Sequence, residues 1–110
     1  MKRLKKRADF VKLARGQAVR MPGFVLQYLS AQADEARVGF TVTRRQGNAV
    51  ARNRIKRRLR EAVRLGHADA AIRPGDYVLI GRKESLSLSF ATLRAAIFKA
   101  FAKAQTAKTA

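Results

Sequence analysis

One stretch of sequence, residues 44–64, constrains this chain more than any other feature. Nine of its 21 residues are Arg or Lys, and only Glu61 is acidic. Apolar residues recur in it at helical spacing and predict one face packed on a core, namely Ala51, Ile55, Leu59, Ala62 and Val63. The opposite face carries Asn53, Arg57, Arg60 and Arg64, with Lys56 beside it. A folded helix would hold these guanidinium groups at fixed positions, which suits two-point binding of phosphate.

The overall composition points to a polyanionic partner. The 110 residues carry a formal net charge of +18, which opposes compaction unless a partner neutralises it. At 47% hydrophobic, the chain is too apolar for a disordered basic tail and has enough residues for one domain. There is no Cys, which excludes disulfides and thiolate metal sites and agrees with a cytoplasmic location. No apolar stretch approaches the roughly 20 residues of a membrane span. Nucleic acid is the partner that fits best.

Hydrophobic patterning predicts three helices and four strands in a single domain over residues 1–110. We expect helices over residues 8–15, over about 50–65, and from Ser87 or Ser89 onward. The strands are expected over residues 18–20, where the pattern is weakest, and over 24–29, 38–43 and 77–80. This order, α-β-β-β-α-β-α, predicts an α+β fold with one small mixed sheet and helices packed on it. The other sheet face would be partly open as a groove, and residues 104–110 would form a frayed tail.

Local signals mark the two ends of the basic helix. Gly47 can adopt a positive φ, and the side chain of Asn48 can cap the first turn that follows. Gly66 is expected to end the helix. His67, the only histidine, would then lie just beyond the helix as a surface residue facing its dipole.

No catalytic constellation is visible in the sequence. The seven carboxylates are scattered, and the one adjacent pair, Asp34 and Glu35, is predicted to lie in a loop. Two-metal nucleases need several converging carboxylates, and no glycine-rich phosphate loop is present. On its own residues, the chain is predicted to bind rather than to catalyse.

The basic stretch also resembles a family signature. The run Arg45-Gln-Gly-Asn48-Ala-Val-Ala-Arg52-Asn53-Arg54-Ile-Lys56-Arg57 closely resembles that of the bacterial ribonuclease P protein subunit, in which an Arg-Asn-Arg helix follows a Gly-Asn turn. Residues 4–10, 24–26, 37–42 and 75–78 and the last predicted helix also match, so that the resemblance covers about residues 4–103.

The resemblance implies a ribonucleoprotein endonuclease that removes the 5′ leader of precursor tRNA. The catalytic groups and Mg²⁺ would belong to the RNA subunit, with no organic cofactor and no obligate protein partner. The catalytic RNA would be bound by Arg45, Asn48, Arg52, Asn53, Lys56, Arg57 and Arg60. The leader groove would be lined by Phe10, Lys12, Gln27, Thr41, Thr43 and Arg44. The fold would be similar to a ribosomal protein domain with a left-handed β-α-β crossover, against the usual right-handed preference.

Two positions depart from the family pattern. Ala14 stands where a second aromatic often follows Phe10 by one helical turn, and Gln27 stands where many members have an aromatic. Tyr28 is the neighbour of Gln27, and the resemblance also places it among the strand residues around the leader groove. Because adjacent strand residues face opposite ways, core packing is favoured for Tyr28, with the groove as the open alternative. Phe10 remains open between core packing with Leu13 and stacking on the leader.

Three other functions compete with this hypothesis. A ribosomal or other structural RNA-binding protein would share the charge, size and fold class. A DNA-binding regulator would normally present its recognition helix after another helix, whereas here a strand precedes it. A membrane-active cationic protein is disfavoured by the strand segments and the single-domain core pattern.

Overall fold

The computed structural model describes residues 2–3, 17–29, 35–69 and 72–107. These residues form five strands and two α-helices. The strands are β1 (Lys2–Arg3), β2 (Gln17–Met21), β3 (Phe24–Leu29), β4 (Ala36–Thr41) and β5 (Gly75–Gly81). The helices are α1 (Ala49–Asp69) and α2 (Phe90–Ala107). Short 3₁₀ turns, Arg44–Gln46 and Lys83–Leu86, precede the two helices.

The strands form one mixed sheet in the order β1-β4-β5-β3-β2. Strands β2 and β3 form an antiparallel hairpin, and β3 also pairs antiparallel with β5. Strand β4 pairs parallel with β5, so α1 is the crossover between two parallel neighbours. Parallel neighbours require such a connection, because a hairpin can join only antiparallel strands. The left-handedness of this crossover stays a prediction from the family resemblance.

Both helices pack on one face of the sheet. That face presents alternate strand residues, as the period of two requires, with Phe24, Leu26 and Tyr28 from β3 and Tyr77 and Leu79 from β5. The helices contribute stripes at helical spacing, which are Ile55, Leu59, Ala62 and Val63 from α1 and Leu93, Ile97, Ala100 and Phe101 from α2. All of these side chains are at most 5% exposed. The predicted α+β fold and the buried face of the basic helix are thus confirmed.

Several predicted boundaries need correction. The weak strand pattern at residues 18–20 is the full five-residue strand β2, and β5 already begins at Gly75. The last helix is capped by Ser89, whose Oγ accepts a hydrogen bond from the Thr92 N–H at 3.1 Å. It does not end at Lys103, because α2 continues to Ala107 with Ala104 buried, so residues 104–107 are not a frayed tail. The predicted helix over residues 8–15 lies outside the described residues, and β1 was not predicted.

Gly66 does not end the basic helix, contrary to prediction. Helix α1 continues through it to Asp69, and Gly66 has no positive φ. A glycine inside a helix costs only about 1 kcal/mol relative to alanine, which the packing of a 21-residue helix can override. His67 therefore lies in the last turn, half-buried, and its Nδ1 accepts a hydrogen bond from the Ile72 N–H at 3.1 Å.

Gly81 fixes how closely α1 approaches the sheet. A Cβ atom built on Gly81 would lie 2.6 Å from Ile55 Cγ2 and 2.9 Å from both Leu59 Cδ1 and Val42 Cγ2. Only a residue without a side chain fits at this point. The buried face of α1 therefore rests directly on the β5 backbone, and its exposed face is held at a set distance from the sheet.

Candidate RNA interface

The start of α1 is built by the two residues before it. Gly47 has φ 138°, a value that favours glycine, and turns the chain after the Arg44–Gln46 turn. Asn48 Oδ1 then accepts a hydrogen bond from the Ala51 N–H at 2.9 Å, so Asn48 is the helix cap that the sequence predicts. Both residues leave the first turn of α1 exposed to solvent, with its positive dipole end facing outward.

Cations cover the face of α1 that points away from the core. Asn53, Arg57 and Arg60 are exposed on it, whereas Arg52 and Lys56 are half-buried at its margins. Ile55 and Leu59, which alternate with them along the helix, are fully buried. Because the apolar side is packed, α1 cannot rotate, and the backbone positions that carry its cations are fixed relative to the sheet.

Arg60 is held by an aromatic ring as well as by the helix. Its guanidinium carbon lies 5.7 Å from the centre of the Phe40 ring, which is within the range of a cation–π contact. Phe40 comes from β4 and is half-buried, so the ring orients Arg60 at the border between helix and sheet. No local sequence pattern connects two residues 20 positions apart, and this contact was not predicted.

The acidic residue of the basic stretch neutralises one of its arginines. Arg64 donates two hydrogen bonds to Glu61, one turn earlier on α1. The hydrogen bond from Arg64 holds the pKa of the Glu61 carboxyl below its ordinary value. Arg64 therefore pairs with a carboxylate, although its side chain is 63% exposed, and marks one end of the cationic face of α1.

Two arginines of α1 each have a buried nitrogen that finds no hydrogen-bond partner among the described residues. Arg52 Nε and Arg58 Nε are shielded from solvent and make no hydrogen bond within the described part of the chain. Another nitrogen of Arg58 donates to the Leu88 carbonyl, which ties α1 to the segment before α2. Arg58 lines a shallow depression together with Arg54, Arg57 and Leu86. Arg54 belongs to the quoted motif and Arg58 follows it directly, yet neither was assigned a role.

The 3₁₀ turn before α1 adds exposed cations. Arg44 and Arg45 are exposed, and Gln46 Oε1 accepts a hydrogen bond from the Lys83 N–H at 2.9 Å. This bond anchors the turn to the chain just after β5. A second depression lies beside it and is lined by Thr43, Arg44, Arg45, Gln46, Ile80, Gly81 and Arg82.

Two of the predicted leader residues, Gln27 and Thr41, lie on the sheet face opposite the two helices, here called the opposite face. Gln27 of β3 is the register partner of Val78 on β5, and Thr41 of β4 is the partner of Ile80. Val78 and Ile80 alternate along β5 with the core residues Tyr77 and Leu79, so Gln27 and Thr41 point away from α1 and α2. Gln27, Thr41 and Ile80 are half-buried, whereas Thr43 and Arg44 at the end of β4 are exposed. Thr43 and Arg44 line the second depression together with Ile80, the register partner of Thr41, so these residues come together at the end of β4. Phe10 and Lys12, predicted to share this groove, lie outside the described residues.

Tyr28 belongs to the core, as its strand position predicts. It is 5% exposed, its ring stacks on Tyr77 with centroids 6.5 Å apart, and its hydroxyl donates to Gln17 Oε1 at 2.6 Å. Burial raises the pKa of Tyr28. Gln27 therefore lies on the opposite face at the position where the family pattern places an aromatic, and among the described residues no tyrosine lies on that face.

The described residues contain neither a metal-binding cluster nor a membrane-spanning helix. Within them, no three His, Asp or Glu side chains come together in the way that a metal ion requires. Neither α1 nor α2 combines the length and the apolar character needed to cross a bilayer.

Comparison with known proteins independently supports the family resemblance of the basic stretch. A sequence profile described as Ribonuclease P matches residues 1–105. The "Ribonuclease P protein component" of Gluconacetobacter diazotrophicus is 54% identical over 93 residues, with 83% of this chain and 80% of the relative covered. The protein of the same name from Bartonella quintana is 47% identical over 98 residues, covering 83% and 74%.

Solved structures agree with these relatives. The Staphylococcus aureus RNase P protein superposes with a TM-score of 0.79 at 28% identity, covering 94% of this chain and 95% of that one. The RNase P protein of Thermotoga maritima gives a TM-score of 0.76 at 30% identity, covering 90% and 94%. With the Arg-Asn-Arg helix and its Gly-Asn turn in place, this chain belongs to the ribonuclease P protein family.

Proposed function

We propose that this chain is the protein subunit of ribonuclease P, that α1 and the turn before it bind the catalytic RNA, and that the opposite face of the sheet holds the 5′ leader of precursor tRNA. The observation that carries this proposal is the fixed array of cations on α1, whose other side is wholly buried. A rigid array can match the spacing of phosphates on folded RNA, which a mobile basic segment does less selectively.

The residues proposed to contact the catalytic RNA are Arg45, Asn48, Arg52, Asn53, Lys56, Arg57 and Arg60. Arg52 supports this role because α1 holds it half-buried at the margin of the cationic face, next to exposed Asn53. The side-chain oxygen of Asn48 already accepts the hydrogen bond that caps α1, so only its amide nitrogen could contact RNA. The active groups and Mg²⁺ are proposed to belong to the RNA, and a cytoplasmic location is part of the same proposal.

The leader is proposed to cross the opposite face near Gln27, Thr41, Thr43 and Arg44, with Phe10 and Lys12 as further contacts. Arg44 would bind a phosphate at the exposed end of β4, and Gln27 and Thr41 offer hydrogen-bonding groups along the sheet. With Gln27 in place of an aromatic, hydrogen bonding and charge would carry more of this contact than stacking on the sheet.

Reconstitution of the holoenzyme tests the function as a whole. The full-length protein is mixed with ribonuclease P RNA transcribed in vitro, and precursor tRNA cleavage is followed at low Mg²⁺. The protein should restore cleavage there and cleave nothing alone. A ribosomal protein would instead retrieve ribosomal RNA from a lysate and leave the cleavage rate unchanged, and this result would contradict the proposal.

The binding face is tested by charge removal. Arg57→Ala should weaken RNA binding and reduce the slope of log affinity against log salt by about 0.7–0.9, because one phosphate contact is lost. Arg73→Ala removes an exposed cation outside α1 and is the matched control, for which a smaller change is expected. Equal effects of the two variants would mean that RNA responds to net charge alone.

The leader groove is tested by two neutral changes on the sheet. Gln27→Ala and Thr41→Val remove hydrogen-bonding groups from the opposite face without altering charge. The holoenzyme should lose affinity for precursor tRNA while its affinity for mature tRNA, which has no leader, stays the same. Equal losses for both RNAs would place the leader elsewhere.

A further inference from the structure

The exposed side of α2 is unusually apolar for a helix that already buries its other side. The residues that line it are Phe90, Ala91, Arg94, Ala95, Phe98 and Lys99, here called the α2 patch. Phe98 is 59% exposed, and only one other large apolar side chain in the described part of the chain is exposed, Val50 in the first turn of α1. A helix that is apolar on both sides normally has a partner on each side. The core covers one side, and the second side is the α2 patch.

The charge around Phe98 indicates what kind of partner fits. The α2 patch contains Arg94 and Lys99, and residues 90–107 include no Asp or Glu. A second copy of this chain, with its formal net charge of +18, would be repelled by this surface. An anionic partner would be attracted. An aromatic ring between cations is the combination by which proteins hold an unpaired nucleotide, with the base on the ring and the phosphates on the cations.

The α2 patch is also connected to the cationic face of α1. Arg58, which lines the depression with Arg54, Arg57 and Leu86, donates a hydrogen bond to the Leu88 carbonyl. Leu88 lies two residues before Phe90, the first residue of α2 and of the α2 patch. The short segment from Leu86 to Phe90 therefore joins the two surfaces, so that RNA bound along α1 would pass close to the start of α2.

We propose that the α2 patch is a second RNA-binding surface, on which Phe98 stacks against an unpaired base of the catalytic RNA. This inference rests on the proposed function and extends it to a helix that the basic motif does not include. Arg94 and Lys99 would hold the phosphates that flank the stacked base. The stacking contact of Phe98 would add affinity that does not depend on salt concentration, because it involves no phosphate.

Substitutions of Phe98 in the full-length protein separate stacking from other contacts. Affinity for in vitro transcribed ribonuclease P RNA is measured over a range of salt concentrations. Phe98→Ala and Phe98→Leu should both weaken binding by about 5- to 150-fold, since each removes the aromatic face. The slope against log salt should not change, because no phosphate contact is removed. Phe98→Trp should bind like the wild type.

The tryptophan variant also gives a direct signal. The chain contains no Trp, so Phe98→Trp places its only tryptophan in the α2 patch. Stacking on a base should quench its fluorescence when the RNA is added, and excess wild-type protein, which contains no Trp, should restore it by competing for the RNA. Unquenched fluorescence in a saturated complex would overturn the proposal.

The remaining outcomes are distinguishable. If Phe98→Ala and Phe98→Leu bind like the wild type while Arg57→Ala is weakened, the α2 patch is not an RNA surface but the proposed function stands. If the wild-type protein does not bind this RNA, the proposal for the α2 patch and the proposed function are both contradicted. If Phe98→Leu retains affinity that Phe98→Ala loses, the contact is simple apolar packing and stacking is wrong. If the wild type forms a dimer that Phe98→Ala abolishes, a second copy occupies the patch and the RNA proposal is overturned.

Discussion

Arg37 donates two hydrogen bonds to Asp76 across the parallel pair of strands β4 and β5. Nε lies 2.7 Å from Oδ1, and an outer nitrogen lies 2.8 Å from Oδ2. The Asp76 side chain is 7% exposed, whereas that of Arg37 is 37% exposed. The two residues are direct neighbours in the β4–β5 register, on the opposite face of the sheet. The pair therefore locks together the two strands that α1 connects.

The unequal exposure of this pair predicts unequal effects of removing each partner. Arg37→Met leaves a buried carboxylate without its guanidinium and should lower the free energy of unfolding by about 1.5–3 kcal/mol. Asp76→Asn keeps a hydrogen-bond acceptor and leaves an arginine that water can reach, so its cost should be smaller. Urea unfolding of both variants measures the difference, and a larger loss for Asp76→Asn would contradict it.

The packing of α1 on β5 predicts opposite outcomes for two glycines. Gly81→Ala forces a methyl group against Ile55, Leu59 and Val42 and should lower the free energy of unfolding by about 1–3 kcal/mol. Gly66→Ala is the matched control, because nothing lies within 4 Å of its added Cβ and the residue is helical. It should raise stability by about 0.5–1 kcal/mol. Thermal unfolding of the free protein tests the pair, and equal losses would mean that the close approach at Gly81 is not limiting.

The ion pair between Glu61 and Arg64 predicts a variant that binds RNA more tightly. Glu61→Gln removes the carboxylate and leaves Arg64 able to meet a phosphate, so affinity should rise and the salt slope should steepen by at most about 0.7–0.9. Changing both residues to Gln removes a neutral pair and should leave binding close to that of the wild type. Titrations of both variants with ribonuclease P RNA test this, and a Glu61→Gln affinity no higher than that of the wild type would contradict it.

Buried Tyr77 predicts a loss of stability in alkali. Burial is the main cause that raises the pKa of Tyr77 above its ordinary value of about 10, and the charge of Arg73 partly opposes the rise. The unfolded chain then loses this proton at lower pH than the folded one and binds fewer protons above about pH 10. Stability must therefore fall as pH rises from about 10 through the folded pKa.

Tyr77→Phe isolates this contribution. The variant loses the hydrogen bond from the hydroxyl to the Arg73 carbonyl, 2.9 Å long, and should be less stable by about 0.5–1.5 kcal/mol at neutral pH. Its stability should fall less steeply than that of the wild type above about pH 10. Parallel urea titrations across this range compare the two, and identical pH profiles would show that Tyr77 does not contribute.

The sequence by itself determined the parts of this protein that depend on local spacing. The helical period of Ile55, Leu59, Ala62 and Val63 predicts the buried side of α1, and the structure confirms it because one continuous helix holds these residues in register. Asn48 could be assigned as a cap, and the cap of α2 could be limited to Ser87 or Ser89, because a cap acts within three residues. The structure selects Ser89. The family signature is equally local, and the comparisons confirm the membership that it indicates.

Only the tertiary structure decided features that join distant parts of the chain. The cation–π contact of Arg60 with Phe40, the bond from Arg58 to the Leu88 carbonyl and the pairing of β1 with β4 each join separate segments, which no short periodicity encodes. Gly66 shows that a local preference can also predict a helix end wrongly. Its local preference predicted a helix end, but the packing of Val63 and its neighbours on the core outweighs about 1 kcal/mol of propensity. Local preferences are small beside the burial of a whole helical face, so the tertiary contacts set where α1 ends and how its arginines are oriented.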